Sequence, residues 1–244
     1  MDYIAPDDLL ANKTILITGA GAGIGKALAI KCAELGANVI LLGKTVKKLE
    51  AVYDHIESLS KKSAAILPVD LYGATEEHYR DLADTVLREY GKLDGLVHNA
   101  SHLGVLSPFT QIESEMWNQV IQTNLNAEFL MTKHLIPVLE KAKNASTIFT
   151  TSSVGHKGRA FWGPYSVSKF ATEGMMQCVA DEYENSSLRF NAINPGATRT
   201  AMRASAYPAE DVSLLQTPEQ ILDVYLYLLG DESIKITGQR YNAQ

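Results

Sequence analysis

The chain has 244 residues, 46% of them hydrophobic and 20% charged, enough apolar material to bury a sizeable core. That balance excludes a disordered, collagenous or coiled-coil protein. Its 22 basic and 28 acidic residues leave a net charge of −6, and no Lys/Arg-rich run gathers the positive charge, so no nucleic-acid or membrane partner is expected.

Short apolar or β-branched runs alternate with helical patterns along the whole sequence. Residues 14–17 read as a strand, 24–35 as a helix, 39–42 as a strand and 46–59 as a helix. An extended segment follows at 64–69, then a helix at 75–90, a strand at 93–98 and a long helix at 116–139. Residues 147–151 are extended, 165–183 helical, 188–193 extended and 218–229 helical, with a last strand expected over 234–241. The strands are continuous apolar runs, as a parallel sheet covered on both faces requires. The expectation is a doubly wound, Rossmann-type α/β/α sheet of about seven parallel strands, folded as a single domain over 1–244. Cys32 and Cys178 are far apart and form no Cys-x-x-Cys pair. No disulfide framework or metal site is therefore expected, and a reducing, cytoplasmic location is. No apolar run approaches the ~20 residues that span a bilayer. The acidic N-terminus shows no secretory h-region.

Directly after the first strand stands Thr18-Gly19-Ala20-Gly21-Ala22-Gly23-Ile24-Gly25, which opens into a helix. Glycines there allow a tight turn and let a pyrophosphate approach the helix N-terminus, where free N–H groups and the positive dipole end await it. An acidic residue at the end of the second strand would bind an adenosine ribose 2′-hydroxyl and favour NAD(H). The sequence has Gly43 and Lys44 there instead. A cation suits a 2′-phosphate, so NADP(H) is the preferred cofactor, with NAD(H) the alternative.

Tyr165 and Lys169 are four residues apart on one expected helix face. An ammonium at that spacing favours a phenolate, which equips a tyrosine to give and take a proton. Thr151-Ser152-Ser153 ends a strand, and a hydroxyl there can stabilise a developing oxyanion.

The spacing Gly19-x-x-x-Gly23-x-Gly25 with Tyr165-x-x-x-Lys169 resembles the short-chain dehydrogenase/reductase family, in its short single-domain branch. The runs Trp162 to Gln177 and Asn194 to Ala206 are similar to the YciK-type oxidoreductases, a bacterial subgroup of it. The resemblance implies Asn124, Ser152, Tyr165 and Lys169 as the catalytic set, with Ser153 and Asn126 as the near competitors. It implies cofactor contacts from Thr18, Gly19, Gly21, Ala22, Gly23, Ile24 and Gly25. Further contacts are implied at Lys44, Asp70, Leu71, Asn99, Ala100, Tyr165 and Lys169, and beside the nicotinamide at Pro195, Gly196, Thr198 and Thr200. The implied reaction moves a hydride between a nicotinamide and a carbonyl or alcohol carbon, with Tyr165 supplying or taking the proton. Three departures stand out: Ala22 where the family often has a base, Ser101 in place of a glycine, and no Asp-Gly-Gly after the last strand.

A substrate loop is expected around 198–216. His156, Lys157, Arg159, Arg199 and Arg203 lie in or near the segments expected to border the pocket, which suggests a small-molecule substrate with an anionic group. Family members pair through the Tyr165 helix and the long helix before it, so a homodimer or homotetramer is expected. The competing reading is a catalytically silent protein that senses NAD(P) with the same fold.

Overall fold

The strands fall where β-branched and apolar residues predominate: β1 Thr14–Thr18, β2 Asn38–Gly43, β3 Ala64–Pro68, β4 Gly95–His98, β5 Ala145–Thr150 and β6 Leu188–Asn194. A computed structural model describes residues 3–59 and 63–244. Between the strands lie α1 Gly23–Glu34, α2 Val46–Ser58, α3 Glu76–Tyr90, α4 Ser114–Ile121, α5 Ala127–Leu139 and α6 Gly163–Glu182. Two short helices, α7 Ala201–Ala206 and α8 Asp223–Leu229, precede β7 Arg240–Asn242.

The strands form one parallel sheet in the order β3-β2-β1-β4-β5-β6-β7. Alternate strand residues point to opposite faces, which splits the core in two. Ile15, Ile17, Val39 and Leu41 pack with Leu28 of α1, Val52 of α2 and Tyr225 of α8. Leu16, Ile40, Leu42 and Phe149 pack with Leu82 of α3, Leu135 of α5 and Met176 of α6. This is the three-layer, doubly wound Rossmann-type arrangement. The order in which strands are added reverses between β1 and β4, and a crevice opens at the C-terminal ends of these strands, the usual ligand position in such sheets.

Three elements differ from the sequence expectation. The long helix is interrupted at Gln122–Asn126 by a π segment, in which the Ala127 amide reaches back to the Gln122 carbonyl. The helix expected over 218–229 begins as a 3₁₀ turn at Pro218–Ile221 before α8. The last strand is three residues rather than eight. Upstream of it the Asn191 side chain takes both the Gln239 amide, at 3.0 Å, and the Ile236 carbonyl, at 2.9 Å. Gly238 turns left-handed there with φ +70°. Its amide donates to the Phe190 carbonyl at 2.8 Å while the Ala192 amide donates to the Gln239 carbonyl at 2.9 Å, so side-chain and backbone bonds together tie this segment to β6.

Candidate active site

Thr18 ties the two central strands together where the crevice opens. Its hydroxyl oxygen accepts from the Asn99 and Ala100 amides, both at 2.9 Å, and Asn99 Nδ2 donates to the Thr18 carbonyl at 3.0 Å. The glycine turn is pressed onto this latch. A Cβ on Gly25 would stand 2.4 Å from the Gly19 carbonyl oxygen and 2.6 Å from Asn99 Nδ2. Gly19 and Gly23 adopt positive φ, +68° and +54°, a backbone conformation that favours glycine. Gly21 packs on α2, where an added Cβ would meet Lys48 at 3.0 Å. The first turn of α1 has neither a side-chain cap nor an acidic residue. Its free N–H groups and positive dipole end therefore suit an anion, and a dinucleotide pyrophosphate fits that donor set.

Lys44 is exposed just beyond β2, and its charge, after burial, helps hold the His102 imidazole below its ordinary value. Asp70 is exposed at the end of β3, where its Oδ1 accepts from the Tyr72 amide at 3.2 Å. The Leu71 side chain packs inward, 8% exposed, so only its backbone can face a ligand. Ser101 has an ordinary backbone: among the described residues only Asn12 and Phe161 combine a side chain with positive φ. The substitution for glycine therefore carries no strain.

The four residues of the Tyr-Lys-Ser-Asn set come from three elements. Ser152 follows β5, and its Oγ accepts from the Val154 amide at 3.4 Å. Tyr165 and Lys169 are buried on successive turns of α6, with Lys169 Nζ 6.0 Å from the tyrosine ring centre. Gly155 lets α6 come this close, since a Cβ there would meet Lys169 Cβ at 2.9 Å. Lys169 Nζ donates to the Thr150 carbonyl at 2.8 Å. Asn124, fully buried in the π segment, accepts from the His102 amide at 2.7 Å. Its Nδ2 donates to the His102 carbonyl at 2.9 Å and to Ser168 Oγ at 3.1 Å. Asn126 is exposed and bonds Gln122, whereas Asn124 is buried; Ser152 is half-buried and Ser153 exposed, and both line the cleft.

One cleft of about 560 Å³ gathers most of these groups. Gly19, Ala22, Gly23 and Ile24 line it from the glycine turn, Asn99 and Ala100 from the end of β4, and Ser152, Tyr165 and Lys169 from β5 and α6. Pro195, Gly196, Thr198 and Thr200 close the far side. Thr18, Gly21, Gly25, Lys44, Asp70, Leu71 and Asn124 lie outside this lining. The segment over 198–216 closes at its neck through a parallel bridge between Thr198 and Gln216.

The cations near the pocket are not equivalent. Arg203 is engaged by Glu210, with its Nε 2.6 Å from Oε2, and its guanidinium lies 3.8 Å over the Tyr207 ring. Arg199 donates to the Ser213 and Leu215 carbonyls. Arg159 also lines the cleft and touches only the Tyr207 hydroxyl, at 3.5 Å, with no carboxylate partner among the described residues. His156 and Lys157 are exposed. Among the described residues, no three His, Cys, Asp or Glu side chains gather as a metal site, and no helix is long and apolar enough to cross a membrane.

Several groups around the site escape a sequence reading. Gln244 Nε2 donates to the Pro195 carbonyl at 2.7 Å and to Thr198 Oγ1 at 3.2 Å, bracing the segment beside the cleft. Glu128 and Glu173, both buried, sit behind Lys169 and Ser152. Acidic residues in a helix ordinarily face solvent; only the four-residue spacing of Glu128 from Asn124 and of Glu173 from Lys169 hints that they share the inward face.

A family model described as short chain dehydrogenase matches residues 13–211. The uncharacterized oxidoreductase YciK of Escherichia coli K12 is 47% identical over 100% of this chain and 96% of its own length. A short chain dehydrogenase structure from Pseudomonas syringae is 50% identical, with TM-score 0.98, covering 100% of this chain and 99% of that one. A short chain dehydrogenase from Escherichia coli CFT073, crystallised with NADPH, is 47% identical with TM-score 0.96, covering 98% and 99%. The family model spans well over half of the chain and the relatives cover nearly all of it, so the chain belongs to the short-chain dehydrogenase/reductase family of oxidoreductases.

Proposed function

We propose that the protein is an NADP(H)-dependent carbonyl reductase or alcohol dehydrogenase, folded as a single domain, whose acid/base chemistry runs on Asn124, Ser152, Tyr165 and Lys169. The observation that carries this reading is the placement of Lys169, held by the Thr150 carbonyl one turn beyond Tyr165 beside the cleft that Ser152 and the glycine turn also line. The family resemblance supports it, as does the NADPH bound to the relative from strain CFT073.

The glycine turn and the uncapped start of α1 would hold the pyrophosphate, Lys44 the 2′-phosphate, and Asp70 with the Leu71 backbone the adenine side. When bound, a nicotinamide cofactor supplies or accepts the hydride. Ser152 Oγ would donate to the carbonyl oxygen as negative charge develops, and Tyr165 would deliver the proton to that oxygen. Lys169, with Nζ 6.0 Å from the Tyr165 ring centre, would favour the phenolate and reach the nicotinamide ribose. Asn124 anchors the residues after β4 to α6, which fixes the wall on which the substrate rests.

Arg159 is the cation that best suits an anionic substrate group, because Glu210 already neutralises Arg203. Phe129, Val167 and Phe170 are exposed on α5 and α6, and we read this face as the contact of a homodimer or homotetramer. Oxidation of NADPH against a panel of aldehydes and ketones, with Tyr165→Phe as the control, tests the whole reading. Turnover lost in the variant supports it. Tight NADPH binding with no turnover across the panel favours a sensing protein instead.

A further inference from the structure

Behind Lys169 lies a charge that the proposed reaction does not use. Glu128, in the first turn of α5, is 3% exposed. Its Oε2 accepts from Thr172 Oγ1 at 2.7 Å. Its Oε1 has no hydrogen-bond partner among the described residues and lies 3.7 Å from Lys169 Nζ, beyond hydrogen-bond length but within ion-pair length. A buried carboxylate oxygen without a donor is costly, and among the described residues the ammonium is the one cation within ion-pair reach of it.

The other groups packed around this pair carry little charge. From β5 comes the Thr150 carbonyl, already bound to Lys169. From β4 comes His98, which burial and the nearby Lys169 push down to about 3, so it stays neutral and bonds Thr132 Oγ1 at 2.9 Å. From α6 come Tyr165 and, one turn past Lys169, Glu173, which is committed to Thr151 and Arg240. Glu128 is therefore the negative charge that Lys169 meets on its inner side, as Tyr165 is the acid on its outer side.

We propose that Glu128 is a positioning residue for the reaction, a buried counter-charge that holds the Lys169 ammonium and sets how much of its positive charge reaches Tyr165. The inference rests on the roles given above to Tyr165 and Lys169. Burial pushes the Glu128 carboxyl up to about 7, against Lys169 and Thr172, which pull it down. Near neutral pH the group therefore passes between carboxyl and carboxylate. Below that range Lys169 acts on the phenol with its full charge, and above it part of that charge is cancelled. Reduction needs the phenol protonated, so the carboxylate extends reduction towards alkaline pH.

Two experiments on the full-length protein decide the matter. In carboxyl-¹³C glutamate NMR, the Glu128 signal is the one that Glu128→Gln removes. In Lys169→Met its titration should move upward by about one pH unit or more; a titration that ignores the loss of the ammonium overturns the inference, and this arm needs no substrate. In the second, NADPH oxidation with nitrobenzaldehyde as the probe is followed against pH. Glu128→Gln, which keeps the bond to Thr172 and should melt as a folded protein, should shift the alkaline limb downward by about one pH unit. An unmoved limb overturns the inference. Undiminished turnover in Tyr165→Phe instead overturns the reading of the site and leaves the Glu128–Lys169 coupling to the NMR arm.

Discussion

Glu173 Oε1 accepts from Arg240 Nε at 2.9 Å and from Thr151 Oγ1 at 2.7 Å, which joins α6 to the last strand directly beneath Ser152. Arg240 also reaches the Ser152 carbonyl, at 3.5 Å. Arg240→Ala leaves the buried Glu173 carboxylate with one donor fewer and frees the end of β5. A loss of about 2 kcal/mol in urea unfolding is expected. The kcat for carbonyl reduction should fall several-fold, with NADPH affinity nearly unchanged. Equal losses in both would show that the pair supports the whole fold rather than the Ser152 turn.

Cofactor preference follows from the cation after β2. Charge-assisted contacts of a single ammonium are worth roughly ten- to hundredfold in affinity. Lys44→Ala should weaken NADPH binding by that factor in a fluorescence titration, with NADH binding unchanged. If NADH binds the unaltered protein more tightly than NADPH, Lys44 has no such role.

The two arginines beside the cleft should behave differently. Arg159→Ala is expected to raise KM for a carboxylated carbonyl compound about tenfold, while the KM of its neutral ester stays put. Arg203→Ala should affect both compounds alike, because its partner is Glu210 and its loss loosens the 201–210 segment. A similar rise for acid and ester in Arg159→Ala would remove the anionic group from the substrate description.

Stability should respond to pH in two opposing ways. His98 falls from 6.5 to about 3 on folding, chiefly through burial, so the folded state binds fewer protons there. Its contribution is complete above pH 6.5 and is lost as the pH drops from 6.5 towards 3. Glu128 rises from 4.5 to about 7, again chiefly through burial, so its contribution is complete below pH 4.5 and is lost as the pH rises towards 7. Urea midpoints measured from pH 3 to pH 8 should fall less steeply on the acid side in His98→Gln, and less steeply towards neutrality in Glu128→Gln. Parallel curves for variants and parent would contradict both assignments.

Most of the scaffold could be read from local pattern, because a parallel sheet needs uninterrupted apolar runs and the glycine turn needs its strand and helix in order. The residues that escaped share a physical cause. Residues 122–126 keep a helical composition, and their wider turn shows only in which carbonyl the Ala127 amide selects. The last strand is short because the chain turns at Gly238, and the Asn191 side chain, four positions into β6, binds the Ile236 carbonyl and the Gln239 amide on either side of that turn. Arg203 stands among the cations expected near the pocket, but its pairing with Glu210, seven residues on, depends on how the 201–210 segment folds back and is not written in the spacing. Glu128 carries little signal in the sequence because its burial depends on α6, far away along the chain.

The π segment has a consequence for how this helix tolerates change in length. A turn of that kind holds one residue more than an α turn, so removing a single residue between Gln122 and Asn126 should close it into ordinary helix. The flanking α4 and α5 would keep their phase against the sheet, and a deletion that elsewhere would twist everything downstream by a quarter-turn or more would leave the core registered. What would go is the wider turn that carries the buried Asn124 to His102 and Ser168. A one-residue deletion there should melt within a few degrees of the parent and turn over carbonyl compounds poorly, which would separate foldedness from competence in a single helix.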